Sequence, residues 1–302
     1  MGVRVQDVAQ ASSDRRLEAG SGLPPETQPN NEVLIPVHSR GRALAESWLP
    51  PILALIVLVV VWIAAIRWKN TPPIIAPSPG DVVNGFRNNT SDILTALLST
   101  FKDAFVGLGL SILIGVSLAV IMSQSKLLER AIFPYTTLAQ TIPIFAIAPL
   151  IDNAVGGGHT AIVLVALIIA IFPIIANTSL GLSSVDPNQI NLFKMYNASR
   201  LQQLMYLRMP FAVPYMLTGI RVSSGLAIIG AIVGEVLLGS GSPDGGGVGY
   251  EIQIAAHNGD WGLLGAAALA AAMLGIGVFV VLGTLSTLAL RKWHESAIQH
   301  EN

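Results

Sequence analysis

Two ionisable residues, Glu235 and Arg221, interrupt a long apolar stretch of this 302-residue chain. An ionisable side chain in such surroundings is costly to bury unless it faces a water-filled path or a polar partner. We predict that Glu235 either lines a gated pathway or makes a structural hydrogen bond to a neighbouring helix. Arg221 would bind an anion, pair with a carboxylate, or extend its charged end toward water. Asp152 and His159 flank a turn of three glycines, where they form either an external gate or a solvated loop.

The composition argues against covalent and metal chemistry. The chain has no cysteine, which excludes disulfides and thiolate ligands. Its five histidines lie too far apart in sequence to suggest a metal cluster. Ser223 and Ser224 would serve an intramembrane hydrolase only beside a histidine, and no histidine falls inside an apolar stretch. We therefore expect no enzyme activity, no metal and no cofactor, and the net charge of −1 gives no reason to expect nucleic acid.

The elements that must position these residues are long apolar stretches. Hydrophobic residues make up 52% of the chain and charged residues 12%, about half the share usual in soluble domains. A helix needs about 20 apolar residues to cross a bilayer. Six stretches meet this need: Leu49–Ile66, Ala104–Met122, Ala131–Ile151, Thr160–Leu182, Phe211–Leu238 and Trp261–Leu290. The pattern predicts an all-α membrane protein with six transmembrane helices in contact with lipid.

The distribution of Lys and Arg predicts the orientation. With the N-terminus in the cytoplasm, inside segments carry nine such residues and outside segments carry four. Cytoplasmic loops are the ones enriched in Lys and Arg, so we expect both termini to be cytoplasmic. Residues 1–45 are polar and predict a disordered cytoplasmic tail. Residues 46–293 form the transmembrane domain, with a core at 95–293, and the proline-rich run up to Pro79 is expected outside as extended chain.

The segment Ser183–Pro210, between the fourth and fifth stretches, is too long for a turn and too polar to be buried. Asp186 and Pro187 are typical of a helix start. Asn197 stands where a left-handed residue would end that helix, and Ser199 would cap a second helix running to Pro210. The sequence therefore predicts a helix, a sharp turn and a short helix on the cytoplasmic side, projecting toward a partner.

This segment resembles the cytoplasmic loop of the permease subunits of binding-protein-dependent ABC importers. Their loop has the pattern Glu-Ala-Ala, three residues, Gly-Ala-Ser, then a short helix ending near Leu-Pro. Ala198-Ser199 and Met209-Pro210 match it, whereas Asn191-Leu192-Phe193 replaces Glu-Ala-Ala and Asn197 replaces Gly. The resemblance extends over residues 75 to 293. Ala76–Val83 is similar to the segment after the first span in the nitrate, sulfonate, taurine, bicarbonate and thiamine-precursor branch. Further segments are similar to the core of the family: Leu98–Phe101, Gln140–Pro143, Ala146–Leu150, Gly181–Pro187, Gly234-Glu235 and Gly247–Tyr250.

The resemblance implies a type I importer fold in a bacterial plasma (inner) membrane. A second permease chain would complete the pathway for a small polar solute, and an external solute-binding protein would deliver that solute. ATP-binding subunits would contact one set of loop residues: Asn191, Met195, Tyr196, Asn197, Ala198, Ser199 and Leu201. The chain has no Gly-x-x-x-x-Gly-Lys-Ser/Thr run, so ATP hydrolysis is expected on a separate subunit. The alternative that we keep open is a carrier or channel that works alone, which would leave this loop unexplained.

Overall fold

The chain is helical throughout the parts that the computed structural model describes, residues 40–68, 77–239 and 246–298. The helices are α1 Arg40–Trp68, α2 Pro79–Asn88, α3 Thr90–Ser123, α4 Lys126–Ala139, α5 Ile144–Val155, α6 Gly158–Ser183, α7 Pro187–Met195, α8 Arg200–Gln203, α9 Met209–Leu238, α10 Val248–Asn258 and α11 Trp261–Ile298, with a π-helical turn at Leu204–Arg208. The all-α prediction is confirmed. Residues 1–39 of the predicted tail lie outside the described residues, and residues 40–45 belong to α1 instead.

The chain divides into two compact units, residues 1–60 and 61–302. In the first unit the described residues form the N-terminal part of α1. The second unit contains the remaining helices and all the predicted site residues.

Four helical stretches are long and apolar enough to cross a membrane in the described part of the chain: Thr90–Ser123, Gly158–Ser183, Arg200–Leu238 and Trp261–Leu290. They contain the second, fourth, fifth and sixth predicted spans. The described apolar part of the first span is shorter, Leu53–Ile66.

The predicted third span is not one helix. It divides into α4 and α5, with a break at residues 140–143. Pro143 has no N–H, and its ring pushes the preceding residue out of the helical region. At the break, Gln140 and Thr141 instead donate to the carbonyls of Thr137 and Leu138, three residues earlier. The break therefore lies at Pro143, whereas Pro134 and Pro149 of the same span lie inside α4 and α5.

Helices α3, α6 and α9 pack together at the centre of the second unit, and small residues let their backbones approach closely. A Cβ atom added at Gly107 of α3 would lie 2.8 Å from the Cβ of Ala166 in α6. A Cβ added at Gly230 of α9 would lie 2.7 Å from the Cα of the same alanine. Close packing of this kind replaces the hydrophobic effect as the force between helices in lipid.

Helices α2, α10 and α11 pack at one end of this centre. Val82 of α2 and Ile93 of α3 form a buried cluster with Ala266 and Ala270 of α11. The small side chains of Ala266 and Ala270 therefore let α11 pack closely against α2 and α3. By contrast, a Cβ at Gly275, further along α11, would meet nothing within 4 Å.

Candidate functional site

The segment Ser183–Pro210 lies at the opposite end of the bundle from α2 and α10. One buried cluster there contains Ala119 of α3, Leu182 of α6, Leu204 of the π turn and Ala212 of α9. The cluster anchors the segment because the ends of three long helices meet at it. Helix α7 itself has no buried residue and projects from the bundle.

Local hydrogen bonds form the predicted helix, turn and helix. The Asp186 carboxylate accepts from the Asn188 N–H at 2.7 Å, which caps the start of α7. The Ser199 hydroxyl accepts from the Gln202 N–H at 3.2 Å, and the Gln202 side chain accepts from the Ser199 N–H at 2.7 Å. Such a reciprocal capping box satisfies donors that a helix start otherwise leaves unpaired. Both predicted caps are confirmed.

The turn between α7 and α8 depends on Asn197. Its φ of 53° is the only positive φ of a non-glycine residue in the described chain, as we predicted for this position. Asparagine tolerates the left-handed region better than most residues. The turn is closed by the Asn197 and Ala198 N–H groups, which donate to the carbonyls of Lys194 and Phe193. The backbone therefore reverses sharply at the tip of the segment.

We had predicted that the second short helix ends at Pro210, and this prediction is wrong. It continues through the π turn into α9, so the helical stretch runs from Arg200 to Leu238. The Met209 N–H donates to the Leu204 carbonyl, five residues earlier. Pro210 has no N–H and needs room near the preceding turn, and the wider π turn supplies that room. The segment is therefore joined directly to the span that carries Arg221 and Glu235.

Large apolar side chains on this segment are open to solvent. Met195 is 79% exposed, Tyr196 80%, Leu201 67% and Tyr206 73%. Asn191, Asn197 and Ser199 are exposed beside them, and Ala198 is partly buried. A cluster of exposed large apolar residues next to polar ones is typical of a surface that contacts another protein.

Glu235 lies at the other end of the bundle and is completely buried. Its Oε2 accepts hydrogen bonds from the Thr100 hydroxyl at 3.0 Å and from the Gly249 N–H at 2.8 Å. The Val248 N–H donates to the same Thr100 hydroxyl at 2.9 Å. The first N–H groups of α10 have no acceptor within their own helix, and these side chains provide one. Glu235 and Thr100 together therefore cap α10 and hold it against α3 and α9.

Glycines make this cap possible. A Cβ at Gly247 would lie 2.0 Å from the Oε1 of Glu235. A Cβ at Gly249 would lie 2.4 Å from the Ile232 carbonyl oxygen. Only glycine, which has no side chain, lets the backbone approach the carboxylate this closely.

A second buried pair lies one helical turn along α3 from Thr100. Asp103 is 3% exposed, and its Oδ2 lies 2.7 Å from the Nδ1 of His159, at the start of α6. His159 was predicted in an outer loop, but it is part of α6, because Gly156 and Gly157 complete the turn before it. Its partner explains why a histidine fits at this half-buried position.

The other two gate or pathway candidates, Asp152 and Arg221, are not part of this pair. Asp152 is in α5; it is partly buried, and its Oδ1 has no hydrogen-bond partner among the described residues. Arg221 is exposed on α9, and its guanidinium lies 4.5 Å from the centre of the Phe279 ring. No carboxylate of the described residues pairs with Arg221, because Asp103–His159 is the only ion pair among them.

The sequence analysis did not identify Thr100 and Asp103, two residues of α3. Together with their partners Glu235 and His159 they form what we call the buried polar layer. Our predicted second span began at Ala104, whereas α3 begins at Thr90. A polar pair three residues apart, at the start of an apolar run, was the signal available for it.

The two serines considered for a hydrolase, Ser223 and Ser224, form hydrogen bonds to the backbone. The Ser223 hydroxyl donates to the Ala170 carbonyl at 2.6 Å, and the Ser224 hydroxyl donates to the Arg221 carbonyl at 2.7 Å. Both hydroxyl protons are held by backbone oxygens, so neither serine is activated by a base.

Comparison with known proteins identifies the family. Residues 111–300 match the model of the binding-protein-dependent transport system inner membrane component. The chain therefore belongs to that family, whose members are permease components of transport systems.

Named relatives agree with this assignment. The chain is 33% identical over 265 residues to the riboflavin transport system permease protein RibX of Chloroflexus aurantiacus, covering 86% of this chain and 97% of that one. It is 35% identical over 190 residues to the formylaminopyrimidine transport permease protein ThiX of Halalkalibacterium halodurans, covering 63% of this chain and 76% of that one. It is 27% identical over 213 residues to the nitrate import permease protein NrtB of Synechocystis, covering 67% and 74%.

A solved structure shares the fold. The crystal structure of an amino acid ABC transporter with histidines aligns with a TM-score of 0.55 and 17% sequence identity. The alignment covers 68% of this chain and 96% of that chain. At this level of identity the likeness concerns the fold alone.

Proposed function

We propose that this chain is the permease subunit of an ABC import system. We further propose that its segment Ser183–Pro210 transmits the movement driven by ATP hydrolysis, on a partner subunit, to the membrane helices. The observation that carries the proposal is the exposed apolar surface at the tip of this segment. The surface is built on two capped helices and joined without a break to α9. A displacement of the tip would therefore be passed directly to a long membrane helix. The residues that we propose to contact the ATP-binding subunit are those predicted from the sequence: Asn191, Met195, Tyr196, Asn197, Ala198, Ser199 and Leu201.

The assembly that we propose has a second permease chain, two ATP-binding subunits and an external solute-binding protein. We propose six membrane crossings, with α1 as the first and the pair α4–α5 together as the third. The distribution of Lys and Arg supports a cytoplasmic position for Ser183–Pro210 and both termini. In support of this topology, the long helices α3, α6, α9 and α11 extend between the two ends of the bundle.

We propose a small polar solute as the cargo, such as nitrate, a sulfonate, bicarbonate or a thiamine precursor. In support, relatives are named for the transport of nitrate, aliphatic sulfonates, bicarbonate, formylaminopyrimidine and riboflavin. Arg221 is our candidate for a residue that faces the pathway. Its side chain is exposed although it lies within an apolar span, and a charged group there must meet water or a partner. Glu235 is proposed as a positioning residue for α10 at the outer gate. Asp152 and His159 are proposed to belong to that gate.

Purification and uptake test the proposal together. The chain carrying an affinity tag should co-purify with a nucleotide-hydrolysing subunit from its native membrane. Solute uptake should then be lost when the phosphate-loop lysine of that subunit is replaced. Uptake by the chain alone in liposomes, without ATP, would instead establish a self-sufficient carrier or channel.

A further inference from the structure

A cavity of about 250 Å³ lies between the C-terminal end of α3 and segment Ser183–Pro210. Three cationic side chains line it: Lys194 of α7, Arg200 of α8 and Arg208 of the π turn. The side-chain amides of Gln124 and Gln203 complete its polar wall, and no carboxylate lines it. The cavity is thus rich in hydrogen-bond donors, some of them positively charged and the others neutral amides.

The three cations have no anionic partner in the described part of the chain. The only ion pair found there is Asp103–His159, far away in sequence and at the opposite end of the bundle. Arg208 is half-buried, and its Nη1 donates to the Ser123 carbonyl at 3.4 Å, which leaves the rest of the guanidinium fork facing the cavity. Like charges placed around one concave space repel one another and raise the local potential for anions.

A neighbouring cavity shows the contrast. It has a volume of about 310 Å³ and shares Arg208 with the first, but Lys126 and Glu129 also line it, so its charges are mixed. The concentration of unpaired positive charge is therefore specific to the space around Lys194, Arg200 and Arg208.

The chemistry of these side chains defines the ligand. Arginine presents a planar fork of donors that matches the oxygens of a phosphate group, and lysine adds a mobile point charge. Basic pockets between membrane helices on the cytoplasmic side bind phospholipid head groups. We propose that this cavity binds a phosphate group, supplied either by an anionic lipid of the inner leaflet or by a free phosphate compound. The proposal rests on the proposed orientation, which places the cavity at the cytoplasmic surface.

The full-length chain allows a direct test in nanodiscs. Nanodiscs made of phosphatidylcholine alone, or with phosphatidylglycerol added, are compared by native mass spectrometry for the anionic lipid that stays bound. Inorganic phosphate is titrated separately against the chain in the phosphatidylcholine discs by calorimetry. Two variants remove the positive charge: the double variant Lys194→Gln with Arg200→Gln, at two exposed positions, and the single variant Arg208→Gln. The matched control is Arg130→Gln, an exposed cation that we place on the same membrane face and that does not line the cavity.

The proposal expects wild type and Arg130→Gln to retain phosphatidylglycerol, and the cavity variants to bind it at least about tenfold more weakly. This result would assign the site to a lipid head group. Saturable binding of inorganic phosphate with the same dependence, and no lipid preference, would assign it to a free anion. Equal binding by all four proteins, or no binding, would overturn the proposal. Binding that disappears when the ATP-binding subunit is attached would also overturn it, because the cavity would then belong to that interface. A separate experiment tests the orientation: if a tag inserted into Ser183–Pro210 is labelled from outside the cell, the orientation is refuted.

Discussion

Replacing Thr100 by valine tests the buried polar layer that joins α3, α9 and α10. The Thr100 hydroxyl accepts the Val248 N–H and donates to Glu235, with the Ala96 carbonyl as a second acceptor 3.1 Å away. Valine keeps the shape of threonine but removes both functions. The Val248 N–H then remains buried without an acceptor, and Glu235 keeps only Gly249 as a donor.

The expected loss of stability follows from these contacts. A buried donor left unpaired costs about 1–3 kcal/mol. Interhelical hydrogen bonds measured in membranes average about 0.6 kcal/mol and reach about 1.7 kcal/mol. We expect Thr100→Val to lower the free energy of unfolding by about 2 kcal/mol. Thr100→Ser keeps the hydroxyl and loses one buried methyl group, so it should cost about 0.8 kcal/mol.

The chain provides a second control at Thr178. This residue is also fully buried, but its hydroxyl has no hydrogen-bond partner among the described residues. Thr178→Val should therefore be neutral or stabilising. Unfolding of the full chain is followed by circular dichroism in mixed detergent with increasing sodium dodecyl sulfate. If Thr100→Val is as stable as Thr100→Ser, or if Thr178→Val is equally damaging, the hydroxyl does not hold α10 and the reasoning is refuted.

Three further predictions follow from other parts of the structure. Gly230→Ala should destabilise the chain by about 1–3 kcal/mol because its Cβ has no room, while Gly225→Ala, which meets nothing within 4 Å, should not; equal melting temperatures would contradict the close packing. Asn197→Pro should abolish solute uptake at normal membrane abundance, because proline cannot adopt a φ of 53°, whereas Asn197→Gly should keep it; full uptake by the proline variant would count against the turn. The Ser78 hydroxyl and N–H lower the pKa of the Asp81 carboxyl below its ordinary value of 3.8, so its contribution is present above that pH and is lost as pH falls through the lowered pKa. Asp81→Asn should therefore melt lower than wild type at neutral pH, and the difference in melting temperature should close as the pH falls below 3.8; a constant difference would show that the charge is not involved.

Local sequence signals predicted segment Ser183–Pro210 well. Asp186 and Ser199 carry their capping signal in their own side chains, and Asn197 carries the tolerance for a left-handed backbone. The hydrogen bonds that form these features connect residues two to five apart. Such features need no knowledge of the remaining fold.

The buried polar layer could not be predicted in the same way. Glu235 was recognised as costly to bury, but its partner Thr100 lies 135 residues earlier in the chain. No local pattern connects the two, and α10 lies in a region that we had treated as an outer loop. The division of the third span at Pro143 was missed for a related reason. Proline within an apolar run either kinks or ends a helix, and the packing of α5 against α6 decides which.

The chain contains no cysteine, so a single cysteine at Tyr196 gives the most direct test of the proposed coupling surface. Tyr196 is 80% exposed at the tip of the segment, and Val83, 49% exposed at the opposite end of the bundle, is the matched control position. A cysteine crosslinker applied to native membranes should join Tyr196→Cys, but not Val83→Cys, to a subunit that hydrolyses ATP. Solute uptake should stop when that crosslink forms. A crosslink that never reaches a nucleotide-hydrolysing protein, in membranes that still take up the solute, would contradict the account.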